Sequence, residues 1–199
     1  MKRKFQAVES EEEREKLESS VAIVRQQPSR PNENTYWVTE NLIAGEYPGA
    51  YEEKETRDKI KEYLNLGINY FVDLTKENEK DPYKHILMEE ATKAKIKVRH
   101  RRLSIEDFGI PSKELMATIL DTIDEAVAEK KKVYVHCRGG IGRTGTTVGC
   151  YLARHGYSGD DALVEVNRLF QNSERSFESS SSPETGAQKE MVRGWKKKN

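Results

Sequence analysis

The stretch VYVHCRGGIGRTGTT, Val133 to Thr147, decides the fold of this chain, because it joins an apolar strand to a helix through a glycine-rich turn. Its residues match three phosphate-binding templates. Residues 140–145 spell G-x-G-x-x-G, the dinucleotide fingerprint, and residues 140–147 nearly spell the nucleotide-binding sequence G-x-x-x-x-G-K-[ST]. The third template is a Cys-x5-Arg sequence, Cys137 to Arg143. The three templates predict a bound cofactor, a bound nucleotide or the removal of a phosphate.

The first two templates fail on residues outside the glycines. A dinucleotide fold requires an acidic residue at the end of a second strand about 20 residues later. Asp160 and Asp161 stand near that distance, but they follow a turn and are typical of the first turn of a helix. The nucleotide-binding sequence requires a lysine after Gly145, where this chain has Thr146. Glycine spacings alone are common in tight strand-to-helix turns, so both matches are weak.

Cys137 and Arg143 together are suited to binding and removing a phosphate group. A chain that turns from a strand into a helix directs backbone N–H groups and the positive end of the helix at one point, which suits a tetrahedral dianion. The same field stabilises a thiolate at Cys137 and makes it a nucleophile. The planar guanidinium of Arg143 can bind two phosphate oxygens. Gly139, Gly140 and Gly142 let the backbone come close to the phosphate.

The segment HCRGGIGRT, His136 to Thr144, resembles the H-C-x-x-G-x-x-R-[ST] active-site loop of the cysteine-dependent protein tyrosine and dual-specificity phosphatases at every defined position. The sequence CRGGIGR and the size of the catalytic unit resemble the compact dual-specificity branch, which includes the kinase-associated and Cdc14-like phosphatases. The resemblance implies a reaction without metal or other cofactor. It implies that the phosphate is bound by Arg138, Gly139, Gly140, Ile141, Gly142 and Arg143.

The resemblance also implies roles for individual side chains. Cys137 attacks phosphorus and forms a cysteinyl phosphate, Arg143 binds the oxyanion, and a carboxyl group protonates the departing oxygen and later activates water. That acid is expected on a loop before the nucleophile, and Asp107 in SIEDFGIPS, thirty residues before Cys137, is our prediction. Glu106 is the rival. Thr144 is expected to donate to the departing thiolate, and His136 to fix the loop.

Helices and strands alternate from Tyr36 onward, which predicts a three-layer α/β domain with a mostly parallel central sheet flanked by helices, similar to the protein tyrosine phosphatase fold. Ser112 is predicted to cap a helix through about Lys130, and Ser182 to cap the last helix. We interpret residues 1–33 as a charged, mobile arm and residues 34–199 as a single catalytic domain.

Composition narrows the class of partner. The 199 residues include 34 basic and 34 acidic ones, so the net charge does not favour a nucleic-acid partner. No apolar run is long enough for a membrane span. Two cysteines, Cys137 and Cys150, argue against a disulfide scaffold and a zinc site, and they favour a cytoplasmic protein. The sequence does not indicate an oligomeric state.

The leading hypothesis is a phosphomonoester hydrolase acting on phosphotyrosine, and on phosphoserine or phosphothreonine, in proteins. An inositol-phosphate or phosphoinositide phosphatase is the enzymatic alternative, and a non-catalytic phosphate-binding module is the alternative from another class. Two minor alternatives stay open. RHRR, Arg99 to Arg102, forms either a second phosphate-binding patch or a solvated strand, and Gln188 either positions water or belongs to a capped helix whose Met191, Val192 and Trp195 dock on the core.

Overall fold

A computed structural model describes residues 29–196 and contains one five-stranded sheet. The strands lie in the order β1-β2-β5-β3-β4, with β1 antiparallel to β2 and the other neighbours parallel. Their bounds are β1 Thr35–Thr39, β2 Leu42–Gly45, β3 Ile68–Asp73, β4 Arg99–Arg102 and β5 Lys132–His136. The prediction of a mostly parallel sheet is confirmed.

Helices cover both faces of this sheet. They are α1 Glu53–Asn65, α2 Lys84–Lys93, α3 Lys113–Ala128, α4 Gly142–Arg154, α5 Gly159–Phe170 and α6 Gly186–Arg193, with a 3-10 turn at Glu174–Phe177. Successive strand residues point to opposite faces. Tyr134 of β5 therefore joins the core under α1 and α2, while its neighbours Val133 and Val135 join the core under α3 to α6. The three predicted layers are confirmed.

Side-chain caps begin three of the helices, α3, α5 and α6, and the sequence predicts a capping residue for the first and the last of them. Ser112 accepts a hydrogen bond of 3.1 Å from the backbone N–H of Leu115 and begins α3 as expected. The prediction that Ser182 caps the last helix is wrong. Thr185 caps α6 in a reciprocal pair with Gln188, which satisfies two N–H groups at once. Ser182 is buried, and its hydroxyl donates to the backbone oxygen of Ile141 at 2.8 Å.

The segment before β1 contacts the domain. Arg30 donates to the backbone oxygens of Thr35, at 2.8 Å, and Asn172. The side chain of Asn32 donates to the hydroxyl of Tyr63 at 3.1 Å. Residues 29–33 of the predicted arm thus lie against the catalytic domain, and residues 1–28 lie outside the described residues.

The helix after the glycine-rich turn, α4, is buried along its whole length. Three of its glycines face the C-terminal segment. A Cβ added to Gly145 would lie 2.0 Å from the hydroxyl oxygen of Ser182, and one added to Gly149 would lie 2.7 Å from a methyl group of Val192. Gly142 lies similarly close to Gln188. The glycine spacing that resembles nucleotide-binding sequences therefore provides room for the C-terminal segment to pack on α4.

Candidate active site

The glycine-rich turn follows β5 and wraps around the sulfur atom of Cys137. The backbone N–H of Gly140 donates to that sulfur at 3.3 Å. Gly140 has a φ of 74°, and a Cβ there would lie 2.5 Å from the backbone of Gly45, so only glycine fits. The backbone oxygen of Arg138 accepts from Tyr47 at 3.0 Å, which ties the turn to the segment after β2. Since α4 begins at Gly142, its positive end lies beside the sulfur.

Arg143 lies in the first turn of α4 and is almost fully buried, with 2% of its surface exposed. Its two terminal nitrogens bind the carboxylate of Glu79 at 2.8 and 2.6 Å. One of them also donates to the backbone oxygen of Ile105 at 3.2 Å, and the other lies 2.9 Å from Asp107. The hydrogen bond from Arg143 holds the pKa of Glu79 below its usual value. Glu79 therefore fixes the orientation of the guanidinium.

The two candidate acids lie in different surroundings. A carboxylate oxygen of Asp107 lies 2.9 Å from Arg143, and Asp107 lines the same cleft as Cys137. Glu106 forms an ion pair of 2.8 Å with Lys76 and is largely exposed. The cleft has a volume of about 340 Å³. The structure thus brings Asp107, and not Glu106, together with Cys137 and Arg143.

His136 and Thr144 support the turn from below. The Nδ1 atom of His136 donates to the backbone oxygen of Cys137 at 3.2 Å, and its Nε2 lies 2.7 Å from the hydroxyl of Tyr83. Burial lowers the pKa of His136 to about 4, so the ring is neutral near pH 7 and Nε2 accepts from Tyr83. The hydroxyl of Thr144 donates to Gly45 at 3.5 Å. Its predicted bond to the thiolate stays a prediction.

The arginines of RHRR do not form a common patch. Arg102 binds the buried carboxylate of Asp73 at 2.9 Å. Arg101 donates to Thr122 at 2.8 Å, and Arg99 pairs with Glu129 at 2.9 Å on the surface. Alternation along β4 sends neighbouring side chains to opposite faces. The hypothesis of a second phosphate site here is therefore wrong.

The rim of the cleft carries charges of both signs. Arg138 and Arg175 line it together with Glu178 and Glu184. Arg175 pairs with Glu178 at 2.5 Å and with Glu46 at 3.2 Å. The basic charge of Arg175 is therefore largely compensated within the protein.

Gln188 is buried in the first turn of α6, as the capped-helix interpretation requires, and Val192 is buried beside it. Met191 and Trp195 pack against the core. Cys150 is fully buried in α4, where burial raises the pKa of its thiol to about 12. Within residues 29–196 we find no group of three or more His, Cys, Asp or Glu side chains placed to hold a metal ion. No helix in that range is both long and apolar enough to cross a membrane.

The strand, turn and helix around Cys137 and Arg143, with an aspartate on a separate loop, define a cysteine-dependent phosphatase domain of the compact dual-specificity class. The chain belongs to the family described as Swiss Army Knife protein, DSP-PTPase phosphatase domain, whose model matches residues 32–192. The resemblance seen in the sequence is confirmed.

Individual proteins that are similar to this chain include phosphatases of the same kind. The tyrosine-protein phosphatase CDC14 homolog of Schizosaccharomyces pombe is 26% identical over 132 residues, which are 64% of this chain and 24% of that protein. The crystal structure of Tk-PTP in its active form superposes with a TM-score of 0.62 at 25% identity, covering 80% of this chain and 94% of that one. Kinase associated phosphatase shares the fold, with a TM-score of 0.62 at 18% identity over 84% and 94% of the two chains. The chain spans less than half the length of the first curated relatives that it matches.

Proposed function

We propose that this protein hydrolyses phosphomonoesters in proteins, at phosphotyrosine and also at phosphoserine or phosphothreonine, through a cysteinyl-phosphate intermediate. The observation that carries the proposal is the meeting of three groups from separate parts of the chain. The sulfur of Cys137 lies within an N–H-lined turn, and the guanidinium of the buried Arg143 contacts Asp107 at 2.9 Å.

The reaction proceeds in two displacements. In the first, the Cys137 thiolate attacks phosphorus, an S–P bond forms, the P–O bond breaks, and Asp107 gives its proton to the departing oxygen. In the second, the Asp107 carboxylate takes a proton from water, the water oxygen attacks phosphorus, and the S–P bond breaks to return the thiolate. Arg143 and the backbone N–H groups of residues 138–143 stabilise the charge on the phosphoryl oxygens in both steps.

The rim supports a protein substrate over an inositol polyphosphate. A polyanionic substrate requires a cluster of uncompensated cations around the site. Here Arg175 is paired with Glu178 and Glu46, and Glu184 adds a further negative charge. A phosphorylated side chain places one dianion in the turn. The rest of the protein substrate, a polypeptide with charges of both signs, then lies at the rim.

Phosphate release from a panel of substrates tests the proposal. The panel holds phosphotyrosyl, phosphoseryl and phosphothreonyl peptides together with inositol phosphates and phosphoinositides, and Cys137→Ser is the blank. We expect release from peptides that is abolished by Cys137→Ser. Release from inositol compounds alone would replace the substrate class and keep the mechanism. If no substrate of the panel releases phosphate but the protein still binds vanadate, the result would favour a phosphate-binding module without turnover.

The assignment of the acid has a matched pair of variants. Asp107→Asn is expected to lower kcat about 10²–10⁴-fold on esters with poor leaving groups, because the departing oxygen then lacks its proton donor. Glu106→Gln removes the neighbouring carboxylate, which pairs with Lys76, and is expected to stay within about twofold of the parent. The reverse order of effects would transfer the acid role to Glu106.

We propose a cytoplasmic location on the basis of the thiol chemistry. Both cysteines are unpaired, and a nucleophilic thiolate at Cys137 requires a reducing compartment to remain active.

A further inference from the structure

Gln188 is a buried amide that touches three segments of the site. Its side-chain oxygen accepts hydrogen bonds of 3.0 Å from the backbone N–H groups of Glu184 and Thr185. Its side-chain nitrogen donates to the backbone oxygen of Gly109 at 3.2 Å. A Cβ on Gly142 would lie 2.9 Å from that nitrogen, so the amide lies directly against the end of the phosphate-binding turn. Gln188 thus links the C-terminal segment to the loop that carries Asp107.

The loop that carries Asp107 is held by contacts on both sides of that residue. Before Asp107, the backbone N–H of Ile105 donates to Leu74 at 3.0 Å and ties the loop to the end of β3. After Asp107, the backbone N–H of Gly109 donates to the backbone oxygen of Glu106 at 2.9 Å and closes a tight turn. The backbone oxygen of Gly109, at the end of this turn, accepts from the side chain of Gln188.

The part of the loop that follows Asp107 has little side-chain packing to support it. Phe108 is 62% exposed and Ile110 is 48% exposed, so neither holds the backbone against the core. The next buried residue is Pro111, four residues after Asp107. Phe108 has a φ of 56°, which is an unfavourable conformation for a bulky residue and needs external support. The hydrogen bond from Gln188 supplies that support.

We propose that Gln188 is a positioning residue for the general acid: it holds the Gly109 carbonyl and so places the Asp107 carboxyl group where the leaving oxygen departs. This inference rests on the proposed phosphatase function. The amide oxygen accepts from two backbone N–H groups and the amide nitrogen donates to Gly109, so Gln188 acts on the first displacement through Asp107.

The variant Gln188→Glu isolates the contact with Gly109. A carboxylate keeps an oxygen to accept from Glu184 and Thr185, but it has no N–H to donate to Gly109. We expect kcat on alkyl phosphates to fall about 10²-fold, because a small displacement of a catalytic group has effects of that size. Aryl phosphates with acidic leaving groups are expected to stay within about threefold, since such groups depart without a proton.

A double-mutant comparison separates positioning from a general structural role. If Gln188 acts through the acid, Gln188→Glu has almost no further effect on kcat in an Asp107→Asn background. The control is Lys189→Met, in the same helix, which loses only a 3.0 Å bond to Ser181 and is expected to leave the leaving-group dependence unchanged. An equal loss on all leaving groups, additive with Asp107→Asn, would overturn the proposal. Accumulation of phosphocysteine in Gln188→Glu would also overturn it.

Two further measurements keep the test decisive. If a buried carboxylate prevents folding, Gln188→Met removes the N–H donor to Gly109 without adding charge, together with the oxygen that accepts from Glu184 and Thr185, and its dependence on the leaving group is compared in the same way. Amide hydrogen exchange of residues 106–110 reports the anchor without turnover: exchange there is expected to rise in Gln188→Glu, and unchanged exchange would refute the anchor. Because this readout needs no substrate, failure of the phosphatase assay in the parent protein would count against the proposed function and not against the anchor.

Discussion

Replacing Glu79 by alanine removes the carboxylate that binds both terminal nitrogens of Arg143. Breaking a fully buried ion pair costs about 3–5 kcal/mol, because it leaves a buried charge without its partner. Arg143 is 2% exposed, but Glu79 is 16% exposed and Arg143 keeps its contacts with Asp107 and Ile105. We therefore expect the free energy of unfolding to fall by about 2–3 kcal/mol in Glu79→Ala. Urea denaturation at pH 7 measures this directly.

The same variant is expected to weaken the binding of a phosphate mimic. Without Glu79 the guanidinium loses its fixed orientation, so orthovanadate is expected to bind about tenfold less tightly, which corresponds to about 1.4 kcal/mol. Glu77→Ala is the matched control, since Glu77 is an exposed carboxylate of the same loop. The role of Glu79 is contradicted if both variants have free energies of unfolding within about 0.5 kcal/mol of the parent, the range usual for surface substitutions, and bind vanadate equally.

Three further predictions follow from buried groups. Gly145→Ala is expected to lower stability by about 2–3 kcal/mol in urea denaturation, because its Cβ would meet the hydroxyl of Ser182 at 2.0 Å, and Ser182→Gly is expected to relieve part of that loss. His136 has a pKa of about 4, below the unfolded value of 6.5, so its contribution to stability is complete above pH 6.5 and declines by about 3 kcal/mol as the pH falls to 4; a flat profile in this window would contradict it. Iodoacetamide at pH 7.5 is expected to label Cys137 and not Cys150, as read by mass spectrometry of the folded protein.

The meeting of Cys137 and Arg143 in one turn could be predicted because their geometry is local. A strand, a glycine turn and a helix are continuous in the sequence, so the spacing of Cys137 and Arg143 defines the phosphate-binding turn before any long-range contact is known. The acid required a long-range choice between adjacent carboxylates. Loop context favoured Asp107, and the structure places Asp107 beside Arg143 and Glu106 beside Lys76, while the role of Asp107 as the acid stays a prediction.

Partners from distant segments could not be predicted. Glu79 stands in the run KENEKDP, where several charged residues are equivalent in pattern, and only the fold brings one of them to Arg143. The start of α6 was predictable in principle, because TGAQ is a Thr-x-x-Gln capping signal. Ser182 and Pro183 form a competing signal for a helix start three residues earlier. In the folded protein the hydroxyl of Ser182 instead donates to the backbone oxygen of Ile141, just before α4, and so it does not cap α6.

The packing of residues 182–192 on the glycines of α4 has a consequence for the order of synthesis. Cys137 is made some fifty residues before the segment that covers α4, so a nascent chain that ends before Ser182 exposes α4 and lacks the contact of Gln188 with the loop that carries Asp107. Chains emerge from the ribosome at about 5–20 residues per second, which leaves an interval of a few seconds between the two events. During that interval Cys137 is present while α4 lacks the packing of residues 182–192, and we expect phosphate release only from chains that contain this segment.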